Sequence, residues 1–149
     1  MKKSNRNYAK RITAFAAAIA MCLSLQLGAL PVSAALPSTS GSIVSPANIV
    51  ITATDYYFGL KSGGIFECFG ATDVPMGYSA YVKVELQQKD GSWSTIKSWS
   101  DKDTFHAFID QDYAVASGYS YRLKLTHKAY DSNDNLIETL TDYSDVIYY

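Results

Sequence analysis

Tyr119-Ser120-Tyr121-Arg122-Leu123-Lys124-Leu125-Thr126 sets aromatic and aliphatic residues at every second position, with polar ones between. Side chains of an extended chain point alternately to opposite faces, so this stretch reads as a β-strand with one face on a core and the other in water. The same pattern runs through 78–88, where Ala80, Val82, Val84 and Leu86 oppose Tyr81, Lys83, Glu85 and Gln87. Outward from these two lie five more runs of strand-forming residues, 48–58, 65–70, 93–100, 104–113 and 136–149, punctuated by Gly, Asp, Asn and Ser. In 104–113, Phe105, Ala107 and Ile109 fall on one face and His106 and Asp110 on the other. No stretch carries a helical period long enough for a stable helix. The expected fold class is all-β, a seven-stranded antiparallel sandwich of two packed sheets.

Turns connect these strands. Lys89-Asp90-Gly91-Ser92 is the strongest hairpin motif, because an Asp-Gly pair accepts the positive φ angles of a type I′ turn. It predicts that 93–100 pairs antiparallel with 78–88. Consecutive glycines at Lys61-Ser62-Gly63-Gly64 allow another tight turn, and Asp131-Ser132-Asn133-Asp134-Asn135 a third.

Between two of the strands, Val115-Ala116-Ser117-Gly118-Tyr119-Ser120-Tyr121 resembles the tyrosine corner of fibronectin type III domains. That resemblance implies that Val115 plugs the core, Gly118 turns the chain and the Tyr121 hydroxyl bonds back to the corner backbone. Ser117 and Tyr119 stand where that family usually has Pro and Thr. The expected sandwich is therefore fibronectin type III-like or immunoglobulin-like. A second set of short motifs, Ser62-Gly63-Gly64, Cys68 with Gly70, Leu86-Gln87-Gln88-Lys89, Gly91-Ser92-Trp93 and Gly118-Tyr119-Ser120-Tyr121-Arg122, is similar to a family of small secreted bacterial proteins of uncharacterised function. These motifs imply export and a sandwich, and no activity.

The N-terminus supports export. Lys2, Lys3, Arg6, Lys10 and Arg11 precede an almost wholly apolar run over 12–30, and Val32-Ser33-Ala34 offers the small residues that a signal peptidase reads. Residues 1–34 are expected to be a signal peptide cleaved after Ala34, 35–47 a flexible leader rich in Ser and Pro, and 48–149 the sandwich domain. The chain would then be secreted.

Cleavage leaves 115 residues carrying eight basic and fourteen acidic side chains, a net charge of −6 with His neutral. That balance, with no Lys/Arg cluster along the chain, argues against nucleic acid and anionic membranes as partners. The one remaining cysteine, Cys68, cannot form an internal disulfide and alternates to the face opposite Glu67, as a small core residue does. His106 and His127 lie on different strands with no nucleophile motif beside them, so neither a hydrolase nor a zinc site is expected. No cofactor is implied. Asp131, Asn133 and Asn135 have the alternating spacing of a calcium loop, and Asp142 stands at its twelfth position, but Leu136 occupies the place where that loop needs Gly. Asp and Asn are equally what a hairpin turn selects for its own hydrogen bonds.

Eleven Tyr, five Phe and two Trp follow Ala34, more than a core of this size absorbs. Tyr81 and Tyr130 fall on polar faces and Trp93 and Trp99 on a strand expected at a sheet edge. Such aromatics are enriched where proteins meet partners. The expectation is a non-catalytic binding module for a protein or glycan, with Tyr81, Trp93, Trp99 and Tyr130 as contact residues. The alternatives are a structural protein that associates through an edge strand, and a small secreted hydrolase.

Overall fold

A computed structural model of the protein describes residues 35–43 and 50–149; the expected signal peptide lies outside the described residues. The described residues form nine strands and no helix: β1 (Ser38–Ile43), β2 (Ala53–Lys61), β3 (Ile65–Asp73), β4 (Ser79–Asp90), β5 (Ser92–Thr104), β6 (His106–Ala114), β7 (Ser120–Tyr130), β8 (Leu136–Tyr143) and β9 (Ile147–Tyr148). They make two antiparallel sheets, in the orders β1-β2-β3-β6 and β5-β4-β7-β8, with β9 also on β7. The architecture is all-β and sandwich-like.

Alternation in β4 and β7 fills the space between the sheets. Ala80, Val82, Val84 and Leu86 of β4, and Tyr121, Leu123, Leu125 and Ala129 of β7, are fully buried. They meet Phe58, Phe66 and Cys68 of the first sheet. Phe66 stacks on Phe58 with ring centroids 4.5 Å apart and tilts against Tyr121 across the interior at 5.2 Å. Burying a side chain of this size stabilises the fold by roughly 1.5–3 kcal/mol.

The structure departs from the seven expected strands in four places. Ser38–Ile43, expected in the leader, pairs with β2 over six residues, from Ser38 opposite Gly59 to Ile43 opposite Thr54. Backbone hydrogen bonding holds this strand, and Gly41 leaves room for the Tyr56 ring, which lies 2.4 Å from where a Cβ would stand. Of the strand expected over 48–58, 48–49 lie outside the described residues, and among the described residues it begins at Ala53, because the buried Val50 and Ile51 give their N–H groups to Glu138 Oε2, each at 2.8 Å, instead of to a ladder. The strand expected over 136–149 divides into β8 and β9 around Ser144, whose Oγ accepts from Leu123 N at 2.9 Å.

The fourth departure is at Phe105. Expected inside, it is 57% exposed and takes φ +51°, a left-handed conformation costly for a bulky side chain. It makes a one-residue passage between the sheets, and so β6 starts at His106 and not at Thr104. The hairpin at Asp90-Gly91 also differs from a type I′ turn, which needs positive φ at both residues. Gly91 alone has it, at +69°.

Candidate functional site: the outer face of the second sheet

Pairing of β4, β5, β7 and β8 carries every outward residue of these strands onto one surface. On β4 these are Tyr81, Lys83, Glu85, Gln87 and Lys89; Lys102 and Trp93 of β5 stand opposite Tyr81 and Lys89. From β7 come Arg122, Lys124, Thr126, Lys128 and Tyr130, with Tyr143 of β8 opposite Lys124. Six of the eight cations of 35–149 therefore share one face with a single carboxylate, Glu85. The absence of a Lys/Arg cluster along the chain does not survive folding.

Aromatic rings hold these cations. The Arg122 guanidinium lies between Trp93, at 4.2 Å from its ring centroid, and Tyr143, at 4.4 Å. Its Nε donates to Gln87 Oε1 at 2.9 Å. Lys102 Nζ sits 3.9 Å above the Tyr130 ring, Lys128 5.4 Å from Tyr81 and Lys89 6.0 Å from Trp93. Each such pair is worth about 0.5–1 kcal/mol at an exposed site. Glu85 is bridged by Lys83 at 3.2 Å and more loosely by Lys124 at 3.8 Å, and Lys102 pairs with Asp134 in the adjoining turn. Among the described residues, Lys89, Arg122 and Lys128 thus meet rings and not acids.

Of the four expected contact residues, Tyr81, Trp93 and Tyr130 come together on this face, and Trp99 is separated from them. Trp93 and Trp99 are six residues apart, an even spacing that puts both on one side of an unbroken strand. A β-bulge shifts the register between Leu86 and Gln87, which pair with Lys97 and Thr95 and leave Ile96 unmatched. The extra residue flips the sidedness. Trp99 instead stands opposite Val84, packs on the core and meets the Tyr113 ring edge-on at 6.1 Å. Lys97 covers both rings.

In the corner before β7, Tyr121 Oη donates to Ala116 O at 2.6 Å, Gly118 takes φ +92°, and Val115 packs partly buried against the core. Burial raises the Tyr121 hydroxyl above its ordinary pKa. Cys68 is fully buried. Burial first, then the charges of Asp112 and Glu67, push its thiol up to about 12, so it is a poor nucleophile.

A hydroxyl, an imidazole and a carboxylate do line up. Thr72 Oγ1 and His127 Nδ1 are 2.7 Å apart, and His127 Nε2 lies 3.5 Å from Asp142 Oδ2. Thr72 is fully buried and His127 is 1% exposed, so no substrate reaches the hydroxyl. Burial lowers the His127 ring to about 4 despite the nearby carboxylate, whose own pKa burial raises. His106, by contrast, is exposed, pairs with Asp73 and stacks on Phe108.

In the 131–135 turn, Asp131 Oδ1 accepts from the N–H groups of Asn133 and Asn135 at 2.9 Å, and Oδ2 accepts from Asn135 Nδ2 at 3.0 Å. Hydrogen bonds from the Asn135 side chain and backbone, and then from Asn133, hold its pKa below the usual carboxylate value. Its oxygens serve the turn, and Asp142 lies on β8 beside Leu125. Among the described residues, no group of three His, Cys, Asp or Glu side chains could hold a metal ion.

No family model, curated protein or solved structure matches this chain.

Proposed function

We propose that this protein is an exported, non-catalytic binding module with a fibronectin type III-like sandwich, which engages a protein or glycan at or beyond the cell surface through the outer face of its second sheet. The observation that carries this reading is the gathering of Tyr81, Trp93, Tyr130 and Tyr143 with six cations on one outward face of the sheet. Aromatic and arginine side chains are the groups that dominate binding energy in interfaces. Three features support the fold assignment: the corner hydrogen bond of Tyr121, the left-handed Gly118, and β5 staying bonded to β4. In an immunoglobulin constant-type sandwich the fourth strand pairs in the opposite sheet. Export rests on the N-terminal sequence pattern.

The test is capture of partners by the purified protein, compared with Trp93→Ala and Arg122→Ala on the face and Glu67→Gln on the other sheet. Binding lost in the first two and kept in the third is expected. Equal binding by all three would overturn the site.

Association through an edge strand is the second reading, supported by β8, an edge of its sheet whose Leu136 and Ile137 are 52% and 40% exposed. Sedimentation across a concentration series tests it, and a strict monomer removes it.

A further inference from the structure

The outer face of the second sheet departs sharply from the charge of the molecule around it. Six cations against Glu85 and Asp134, the turn carboxylate paired with Lys102, give the face +4, while residues 35–149 together carry −6, so the remaining surface holds −10. Repulsion between like charges on neighbouring strands is unfavourable, and here it is moderated by rings, which fix Arg122, Lys102 and Lys128 in place. Gln87 takes only Nε of Arg122; among the described residues no acceptor is bonded to its four terminal N–H groups. A guanidinium held between two rings, with its terminal N–H groups open, is preorganised for a carboxylate or sulfate.

We propose that this face docks an acidic polysaccharide, with Arg122, Lys89 and Lys128 as the principal anion contacts. The proposal names the ligand class for the binding module argued above and rests on that reading. Its occupant follows from what the face contains and lacks. No aliphatic side chain points outward from β4, β7 or this face of β5, and the one that β8 adds, Leu136 opposite Tyr130, stands alone at the first residue of that strand; the face therefore has neither the apolar centre of a protein interface nor the row of insertable residues of a membrane-surface element. Cations already cover rings on which nucleic-acid bases would stack. What remains are fixed positive charges interspersed with hydroxyls: Thr95, Ser98 and Ser100 on β5, Thr126 on β7, Thr139 and Thr141 on β8. Hydroxyls both donate and accept, as sugar hydroxyls do. Outward residues on one strand recur about every 7 Å and strands lie about 4.8 Å apart, so an extended chain crossing the sheet meets several charges.

The test measures binding of the purified protein to polygalacturonate and dextran sulfate, with neutral dextran, a single-stranded oligonucleotide and phosphatidylglycerol vesicles as comparisons. The acidic polysaccharides should bind more tightly than all three, and binding should weaken as salt screens the face. Arg122→Gln should weaken it about tenfold. The double variant Lys89→Gln/Lys128→Gln should do the same while the protein stays folded, its melting temperature lowered only by the loss of the two cation–ring contacts. Tighter binding to the oligonucleotide or vesicles, or no loss in the lysine double variant, overturns the proposal. Should neutral dextran or a protein bind at this face, losing affinity in Trp93→Ala but not in the lysine variant, the polyanion assignment fails while the binding module stands. If Trp93→Ala alters nothing that the protein captures, both fail.

Discussion

Acidification from pH 7 to pH 5 should destabilise this fold through one residue, His127. The ring is 1% exposed, and burial lowers its pKa from 6.5 to about 4. Because the folded value lies below the unfolded one, the unfolded chain takes up the proton first. Stability is complete above about pH 6.5, falls as pH drops from there to about 4, and stops falling on this account below that. Between those limits one proton separates the states, a slope of about 1.4 kcal/mol per pH unit, which integrates to about 2 kcal/mol between pH 7 and pH 5. Asp142, whose pKa burial raises, acts with the opposite sign, since its folded form takes up a proton before the unfolded chain does. It trims the loss toward the acid end. Urea unfolding followed by tryptophan fluorescence at pH 7, 6 and 5 measures the effect, with His127→Asn as the control whose stability should change much less. A His127 ring that titrates above pH 6 in the folded protein by NMR, or equal stability at pH 7 and 5, would refute the reasoning.

Three further outcomes follow from the same geometry. Tyr121→Phe removes the 2.6 Å bond to Ala116 O while keeping the ring in the core, and should cost about 1–2 kcal/mol in chemical denaturation; no loss would mean that the corner bond contributes nothing. Phe105→Asn should stabilise by about 0.5–1 kcal/mol, because Asn tolerates the left-handed backbone and the exposed Phe ring gives up little packing; a lower melting temperature would show that the ring contributes more than its exposure implies. Cys68, its thiol pushed up to about 12, should resist a thiol reagent at pH 8 in the native state and react readily in denaturant, and rapid native labelling would contradict its burial.

Strands β4 and β7 could be read directly, because each has one face on the core and one in water, and that asymmetry is written as a period of two. The Tyr121 corner is local too, with donor and acceptor five residues apart. The basic face was only half visible. Alternation in β4 and β7 marks Lys83, Arg122, Lys124 and Lys128 as outward, but it does not say that Lys89, Lys102 or Tyr143 lies beside them. The partnership of Arg122 with Trp93 and Tyr143 needs the pairing of β4 with β5 and β7, and of β7 with β8. Trp99 shows the limit most clearly, since a single bulged residue reverses what an even spacing implies.

The sequence by itself determined the β class, the faces of the two central strands, the tight corner and the turn chemistry of Asp131, because each depends on residues within a few positions of one another. Only the tertiary structure decided that Ser38–Ile43 is a strand, that His127 is buried against Thr72 and Asp142, and that six cations of an acidic chain converge on one surface. Those outcomes turn on which strands become neighbours and in what register. Backbone hydrogen bonding fixes both between segments far apart in the chain, and no local pattern of side chains encodes them.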